Sequence, residues 1–72
     1  MTKQDQIIEL TGEVVESLPS TTFRVKIKDE KIIFCHLSGK MRRYHIKVMV
    51  GDQVRIEMTP YDDQKGRITQ RL

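Results

Sequence analysis

The sequence predicts an all-β domain whose sheet closes into a five-stranded barrel, and three observations support this prediction. Apolar residues recur at every second position through most of the chain, which is the spacing of strands with one buried face. Turn-forming residues divide the chain into five such segments. In a chain of 72 residues, closing the sheet on itself protects its edges around a small core.

Four strands are predicted besides the first, two of them directly from the alternation. Residues 23–28 (FRVKIK) alternate apolar and basic side chains, and residues 54–58 (VRIEM) repeat the pattern. Residues 32–37 (IIFCHL) form a strand that is apolar on both faces for part of its length. The last strand is predicted to be short, at residues 67–71.

The first strand, at residues 7–18, is less regular. Ile8, Leu10 and Val14 are predicted to face the core. Gly12 and two adjacent valines interrupt the alternation. A glycine inside a strand often marks a bulge or a sharp bend of the kind that barrel corners need.

Turn signals separate the strands. Pro19 ends the first strand because proline cannot donate to a continuing ladder. Asp29 and Glu30 form a tight turn between strands two and three, where glycine would suit the backbone better. Residues 59–66, which include Asp62 and Asp63, are predicted to be a loop before the last strand.

Residues 38–50 lack strand alternation and contain room for one helical turn near residues 40–44. Five strands with one non-strand insertion between the third and the fourth match the OB-fold. We therefore predict one OB-fold domain over residues 1–72. The rival is an SH3-like barrel, which also has five strands but usually has no insertion at this place.

The charge distribution points to a polyanionic ligand. The chain has a net charge of +3 and a pI near 9.2. Residues 1–20 carry a net charge of −3, residues 21–50 carry +6 and residues 51–72 carry zero. A solvated polar face would mix the two signs, whereas residues 21–50 carry eight basic and two acidic side chains. The pattern favours a surface that binds a polyanion.

Several classes of protein are disfavoured. Residues 1–6 are polar and no apolar leader follows them, and no apolar run approaches the length of a membrane span. A single cysteine, Cys35, cannot form an internal disulfide, so a reducing cytosol is expected. The small core leaves little room for a substrate cavity, and we expect no enzymatic activity.

The residues that could carry other chemistry have simpler interpretations. Cys35 and His36 are neighbours in a strand and point to opposite faces, so they are not expected to share a site. His36 and His45 lack the further ligands that a zinc site needs. Asp62 and Asp63 suit a turn rather than an acid–base pair. No metal and no cofactor are expected.

The segment 38–44 (SGKMRRY) is the most informative in the chain. Gly39 permits close approach of a partner to the backbone. Lys40, Arg42 and Arg43 place three cations within four positions, and an arginine can hold a phosphate with two hydrogen bonds. Tyr44 offers a ring on which a base could stack.

Four stretches of the chain resemble the bacterial-type translation initiation factor one, in the family's order and with its spacing. They cover nearly the whole chain, and they are residues 16–19 (ESLP) with 23–25 (FRV), residues 36–42 (HLSGKMR), residues 46–48 (IKV) with 51–54 (GDQV), and residues 59–62 (TPYD) with 65–68 (KGRI).

The resemblance implies an S1-like OB-fold, without catalytic activity or cofactor, that binds the small ribosomal subunit at the A site. The expected partners are decoding-centre rRNA, a neighbouring ribosomal protein and the other two bacterial initiation factors. A monomer in the bacterial cytoplasm, or in a plastid, is expected, with no membrane association.

The resemblance also implies an RNA-binding surface. Carried over by position, its residues are His36, Gly39, Lys40, Met41, Arg42, Arg43, Tyr44, Lys47, Lys65, Arg67 and Arg71. The chain departs from the family at Tyr44 and His45, where a small polar residue and then an aromatic are usual, and at Gln70, near which an aromatic is common. By residue type alone, Met41 and Met49 are expected to pack in the interior.

Two alternatives come from other classes. A cold-shock-like RNA chaperone would share the barrel but would need a cluster of surface aromatics, for which only Phe23 and Phe34 compete. A barrel that binds proteins alone would have a partner insensitive to salt. Few side chains that could read base edges lie near the basic segment, so recognition is expected to depend on RNA shape. Because the contacts would be mainly with phosphates, binding is expected to weaken steeply with salt.

Overall fold

The structure is a computed structural model that describes residues 7–72, except for the side chain of Asp63. Residues 1–6, where the polar start of the chain was noted, lie outside the described part. The elements are β1 (Ile8–Leu18), β2 (Thr22–Lys26), β3 (Ile32–Leu37), α1 (Gly39–Arg43), β4 (Gln53–Thr59) and β5 (Asp62–Arg71).

The strands form a closed barrel in the order β1-β2-β3-β5-β4. The strand β1 closes it, because β1 pairs antiparallel with both β2 and β4. The strands β3 and β5 are parallel, and the remaining neighbours are antiparallel. The prediction of an all-β, five-stranded OB-fold with a short helix between strands three and four is confirmed.

The core is built from the alternate positions that the sequence identifies. In β2, β3 and β4 every second side chain is buried. The buried apolar side chains among residues 7–72 are Val14, Phe23, Val25, Ile33, Cys35, Leu37, Met41, Val54, Ile56, Met58 and Ile68. Two expectations are wrong. Ile8 is 42% exposed because burial declines toward the start of β1, and Met49 is 63% exposed in the segment before β4.

The irregularity in β1 lies beside Val15 and not at Gly12. The β1–β2 register shifts between Val14 and Glu16, so the bulge leaves Val15 on the surface. Gly12 has a different role. A Cβ at this position would lie 2.6 Å from Val25 Cγ1, so glycine lets β1 approach β2 closely.

The turn between β2 and β3 has the expected length and an unfavourable composition. Asp29 and Glu30 have φ angles of 62° and 59°, which are the positive values required at both central positions of a type I′ turn. Neither residue is glycine, so the turn carries some backbone strain.

The last strand is longer than predicted. The strand β5 begins at Asp62, and the link from β4 is a turn at Pro60 and Tyr61 rather than a loop over residues 59–66. Residues 62–66 are all polar or glycine and show no alternation. These residues form part of a strand because Asp62 pairs with β4 and Lys65 pairs with β3.

Candidate nucleic-acid interface

The helix α1 follows β3 directly and packs against β3 and β5. Ser38 is its N-cap, and the Ser38 Oγ accepts a hydrogen bond from the Met41 backbone N–H at 3.2 Å. The preceding backbone is also anchored, because the Ser38 N–H donates to the Ile68 carbonyl in β5. The start of α1 is therefore fixed to the barrel.

The helix ends at a left-handed residue. The His45 N–H donates to the Arg42 carbonyl, and the Ile46 N–H donates to the Met41 carbonyl. This pair of bonds is a Schellman motif, with His45 (φ 55°) at the position that glycine most often occupies. The motif ends α1 and returns the chain toward β4.

Met41 points into the barrel and is 1% exposed. This confirms its role in packing, and its 1% exposure leaves little of the side chain for contact with a surface ligand. On an ideal helix Lys40, Arg42 and Arg43 then span an arc of about 160° centred opposite Met41. All three cations are exposed.

The described carboxylates of residues 7–72 do not neutralise these cations. Within residues 7–72, ion pairs join Arg24 to Glu16 and Arg67 to Glu57. No described carboxylate pairs with Lys40, Arg42 or Arg43. The absence of acidic residues from residues 31–51 explains this, because α1 and its flanking segments contain no local counter-charge.

Arg71 of β5 lies beside the helix α1 although the two are far apart in sequence. The Arg71 Nη1 donates to the Lys47 carbonyl at 3.0 Å. An open groove of about 540 Å³ is lined by Lys40, Met41, Ile46, Thr69, Gln70 and Arg71. We call the surface formed by Lys40, Arg42, Arg43, Tyr44, Lys47 and Arg71 the helix surface.

Three other predicted residues lie together elsewhere. His36, Lys65 and Arg67 line a second open groove of about 370 Å³ between β3, β4 and β5, which we call the wall groove. Its charge is mixed, since Glu57 and Asp62 also line it. The Glu57 Oε1 lies 3.1 Å from the Arg67 Nη2, so part of the positive charge here is compensated.

Tyr44 and Gly39, the two other residues that the basic segment contributes to the predicted site, are accessible. Tyr44 is 60% exposed, so its ring is available to stack on a base. A Cβ built on Gly39 would meet no atom within 4 Å, and the glycine has no positive φ. The fold therefore does not require glycine at residue 39, and its small size leaves the backbone accessible.

Sequence reasoning missed part of the surface. Ile46, Thr69 and Gln70 line the groove beside α1, but none carries a charge that marks it as a ligand contact. Only the closure of β5 against α1 brings them there. The long reach of Arg71 to Lys47 is likewise a tertiary contact without a local sequence signal.

The other candidate groups lack the features of a reactive site. Cys35 is fully buried, and desolvation raises the pKa of its thiol from 9.0 to about 12, which disfavours the nucleophilic thiolate. Among residues 7–72, no cluster of His, Cys, Asp and Glu side chains is suited to hold a metal ion. No helix in the same part of the chain is long and apolar enough to cross a membrane.

Comparison with protein families gives a match over the full sequence. Residues 1–72 match the family described as translation initiation factor 1A / IF-1. The chain also resembles the solution structure of translation initiation factor IF-1 from the Wolbachia endosymbiont strain TRS of Brugia malayi. The two share 46% identity with a TM-score of 0.81, over 97% of this chain and 83% of that chain.

Two larger proteins contain a similar barrel. YjeQ from Thermotoga maritima is 33% identical with a TM-score of 0.70, and the match covers 90% of this chain and 23% of that one. YloQ, a circularly permuted GTPase, is 24% identical with a TM-score of 0.73 over the same shares of the two chains. The likeness to YloQ concerns the fold alone.

Proposed function

Because this chain belongs to the translation initiation factor 1A / IF-1 family, we propose that it binds the small ribosomal subunit at the A site through the helix surface. In this proposal the protein contacts decoding-centre rRNA and a neighbouring ribosomal protein, and it acts with the other two initiation factors. It works as a monomer in the cytoplasm, and it is a binding protein rather than an enzyme.

The observation that carries this proposal is the set of unpaired cations on α1. Lys40, Arg42 and Arg43 lie on the side of the helix away from Met41, without a described carboxylate partner. A free guanidinium can make two hydrogen bonds to one phosphate, whereas a neutralised one must first break an ion pair. The helix surface is therefore the part of the barrel best prepared for a phosphate backbone.

The surface suits folded RNA better than a specific sequence. Its polar groups are mainly cations, which contact phosphates without reading base edges. Tyr44 adds an exposed ring, which stacks on a base of any identity. The wall groove, with His36 and Lys65 exposed, would extend the contact along the barrel.

The cold-shock-like alternative relied on two aromatic residues at the surface, and only one of them is exposed. Phe23 is 6% exposed and lies in the core, whereas Phe34 is 40% exposed. A cluster of surface aromatics on β2 and β3 is therefore absent from the described residues. The family match supports the ribosomal proposal over this alternative.

The proposal is tested by co-sedimentation with isolated small ribosomal subunits at two salt concentrations. The variant carries Lys40→Ala, Arg42→Ala and Arg43→Ala. We expect it to lose binding while its thermal melt stays nearly unchanged, because its three side chains are exposed. An A-site ligand should displace the unmodified protein.

A control of equal charge change separates location from net charge. Lys28→Glu with Lys31→Ala also lowers the net charge by three, at the exposed turn between β2 and β3. We expect this control to bind nearly as well as the unmodified chain. Equal loss in both variants would show that only overall charge matters, and retained binding by the triple variant would reject the helix surface.

A further inference from the structure

We propose that Asp52 is a positioning residue for RNA binding, because its carboxylate holds the chain between α1 and β4 so that the Lys47 side chain stays on the helix surface. We call the chain between these two elements, residues 44–52, the connecting segment. The inference rests on the proposed binding of RNA by the helix surface. Asp52 carries a negative charge, so its role is to hold a cation in place and not to contact phosphate itself.

Asp52 closes a tight turn at the end of the connecting segment. The Asp52 Oδ2 accepts a hydrogen bond from the Met49 N–H at 2.9 Å, and the Asp52 N–H donates to the Met49 carbonyl at 3.0 Å. Gly51, inside this turn, has a φ of 98°, which residues with a side chain rarely adopt. The shape of the turn therefore depends on the Asp52 carboxylate and on the glycine before it.

The same turn is attached to the barrel wall. The Val14 N–H donates to the Asp52 carbonyl at 2.9 Å, and the Gly51 N–H donates to the Val14 carbonyl at 2.8 Å. Val14 is a fully buried residue of β1. The backbone of Asp52 is thus fixed to the core, while its side chain bonds to Met49. Through this side chain the wall sets the position of the connecting segment.

Lys47 lies between this turn and a second point of attachment. The Arg71 Nη1 holds the Lys47 carbonyl at 3.0 Å, and Val48 packs partly buried against the core. The Lys47 side chain is exposed and has no carboxylate partner among residues 7–72. Residues 47–49 are therefore held at one end by Arg71 and at the other by Asp52. Without the Asp52 carboxylate the Met49 end is released, and Lys47 must be ordered when RNA binds, which costs affinity.

Two other roles of Asp52 make different predictions. If the carboxylate acted through its charge alone, its removal would strengthen RNA binding, because an anion near phosphates repels them. If it stabilised only the fold, its removal would lower stability and leave the contribution of Lys47 to affinity unchanged. Positioning predicts weaker binding together with a smaller contribution of Lys47, since the two side chains then act as a unit.

The first test compares Asp52→Ala with Asp52→Asn in co-sedimentation with small ribosomal subunits. Both remove the charge, but asparagine keeps a side-chain oxygen that can accept the Met49 N–H. We expect Asp52→Ala to weaken binding and to make the slope of log affinity against log salt shallower by about 0.7–0.9, the loss of one phosphate contact. Asp52→Asn should bind at least as tightly as the unmodified chain. Binding by Asp52→Ala that equals or exceeds that of the unmodified chain would overturn the inference.

A double-mutant cycle then measures whether Asp52 acts through Lys47. Lys47→Ala should weaken binding in the unmodified chain and have little further effect in the Asp52→Ala background. Asp62→Ala is the matched control, because the Asp62 Oδ1 also accepts a nearby backbone N–H, from Gln64 at 3.0 Å. With this control the effects on affinity should add. An equal loss from Lys47→Ala in the Asp52→Ala and unmodified backgrounds would assign Asp52 to the fold alone and reject its positioning role.

The outcomes are distinguishable from failure of the ribosomal proposal. Retained binding by the triple variant of α1 would reject the helix surface and this inference with it. Loss of binding by the triple variant, with no effect of Lys47→Ala, would reject the positioning role alone. Thermal melts check that each variant is folded at the assay temperature. If Asp52→Ala is not, Asp52→Glu, which keeps the charge and moves the carboxylate by one methylene, takes its place in the cycle with the same expected result.

Discussion

The helix α1 and the barrel wall differ in how their charged side chains are held. On the wall, Arg24 and Arg67 each have a carboxylate partner on a neighbouring strand. On α1, Lys40, Arg42 and Arg43 have none among the described residues. The wall closes the barrel by strand pairing, whereas α1 is an insertion that the pairing does not need. The two ion-paired arginines of the wall are thus engaged by the fold, whereas the cations of α1 stay available to a ligand.

The largest effect should come from the side chain that joins α1 to the core. Met41→Ala is expected to lower the free energy of unfolding by about 2–5 kcal/mol, because it empties a buried position. Met49→Ala is the matched control, since Met49 is 63% exposed, and it should change stability little. Urea denaturation checks both. Equal effects would show that α1 is not anchored through Met41.

Alanine substitutions at two glycines compare how tightly the barrel wall and the helix α1 are packed. Gly12→Ala should cost about 1–3 kcal/mol by overpacking, because its Cβ would lie 2.6 Å from Val25 Cγ1. Gly39→Ala meets no atom within 4 Å and should keep or raise stability by up to about 1 kcal/mol. Thermal melts measure both. A destabilised Gly39→Ala would mean that the helix is packed more tightly than the structure shows.

The buried thiol of Cys35 allows the barrel wall to be tested through the dependence of stability on pH. Burial raises the pKa of Cys35 to about 12, against 9.0 for a free thiol. The unfolded chain therefore loses this proton first, and stability should fall as pH rises above 9.0 toward 12, by up to about 1.4 kcal/mol per pH unit.

Cys35→Ala lacks this contribution, so its stability should decline less with pH over the same range in urea titrations. It starts from a lower stability because a buried side chain is shortened. Parallel pH profiles for Cys35→Ala and the unmodified chain would contradict the raised pKa.

The smallest effect concerns the paired cation of the wall groove. Glu57→Gln removes the partner of Arg67 and should change the free energy of unfolding by less than about 1 kcal/mol, since exposed ion pairs contribute little. In this variant Arg67 no longer has a carboxylate partner, so it should contact phosphate more readily and make RNA binding more sensitive to salt. An unchanged salt response, measured by anisotropy, would show that Arg67 does not contact RNA.

The fold was predictable where apolar alternation was strong. Residues 23–28 and 54–58 identify β2 and β4 because their inward side chains are apolar without interruption. The start of β5 was not predictable, because residues 62–66 are polar and become strand only by pairing with β3 and β4. Local patterns carry no information on such tertiary pairing.

The candidate site was predictable in its charges and not in its geometry. The cluster of Lys40, Arg42 and Arg43 is evident in the sequence. The burial of Met41 between them follows from the helical period only once the packing of α1 on the barrel is known. The grouping of His36 with Arg67, away from the helix surface, depends on the parallel pairing of β3 with β5.

The central claim is that the unpaired cations of α1 contact RNA phosphates. Its most direct test is the slope of log affinity against log salt for small-subunit binding, compared between the unmodified chain and variants lacking one or two of Lys40, Arg42 and Arg43. Each lost contact should make the slope shallower by about 0.7–0.9. Slopes that stay parallel while affinity falls would contradict direct contact between these cations and phosphate.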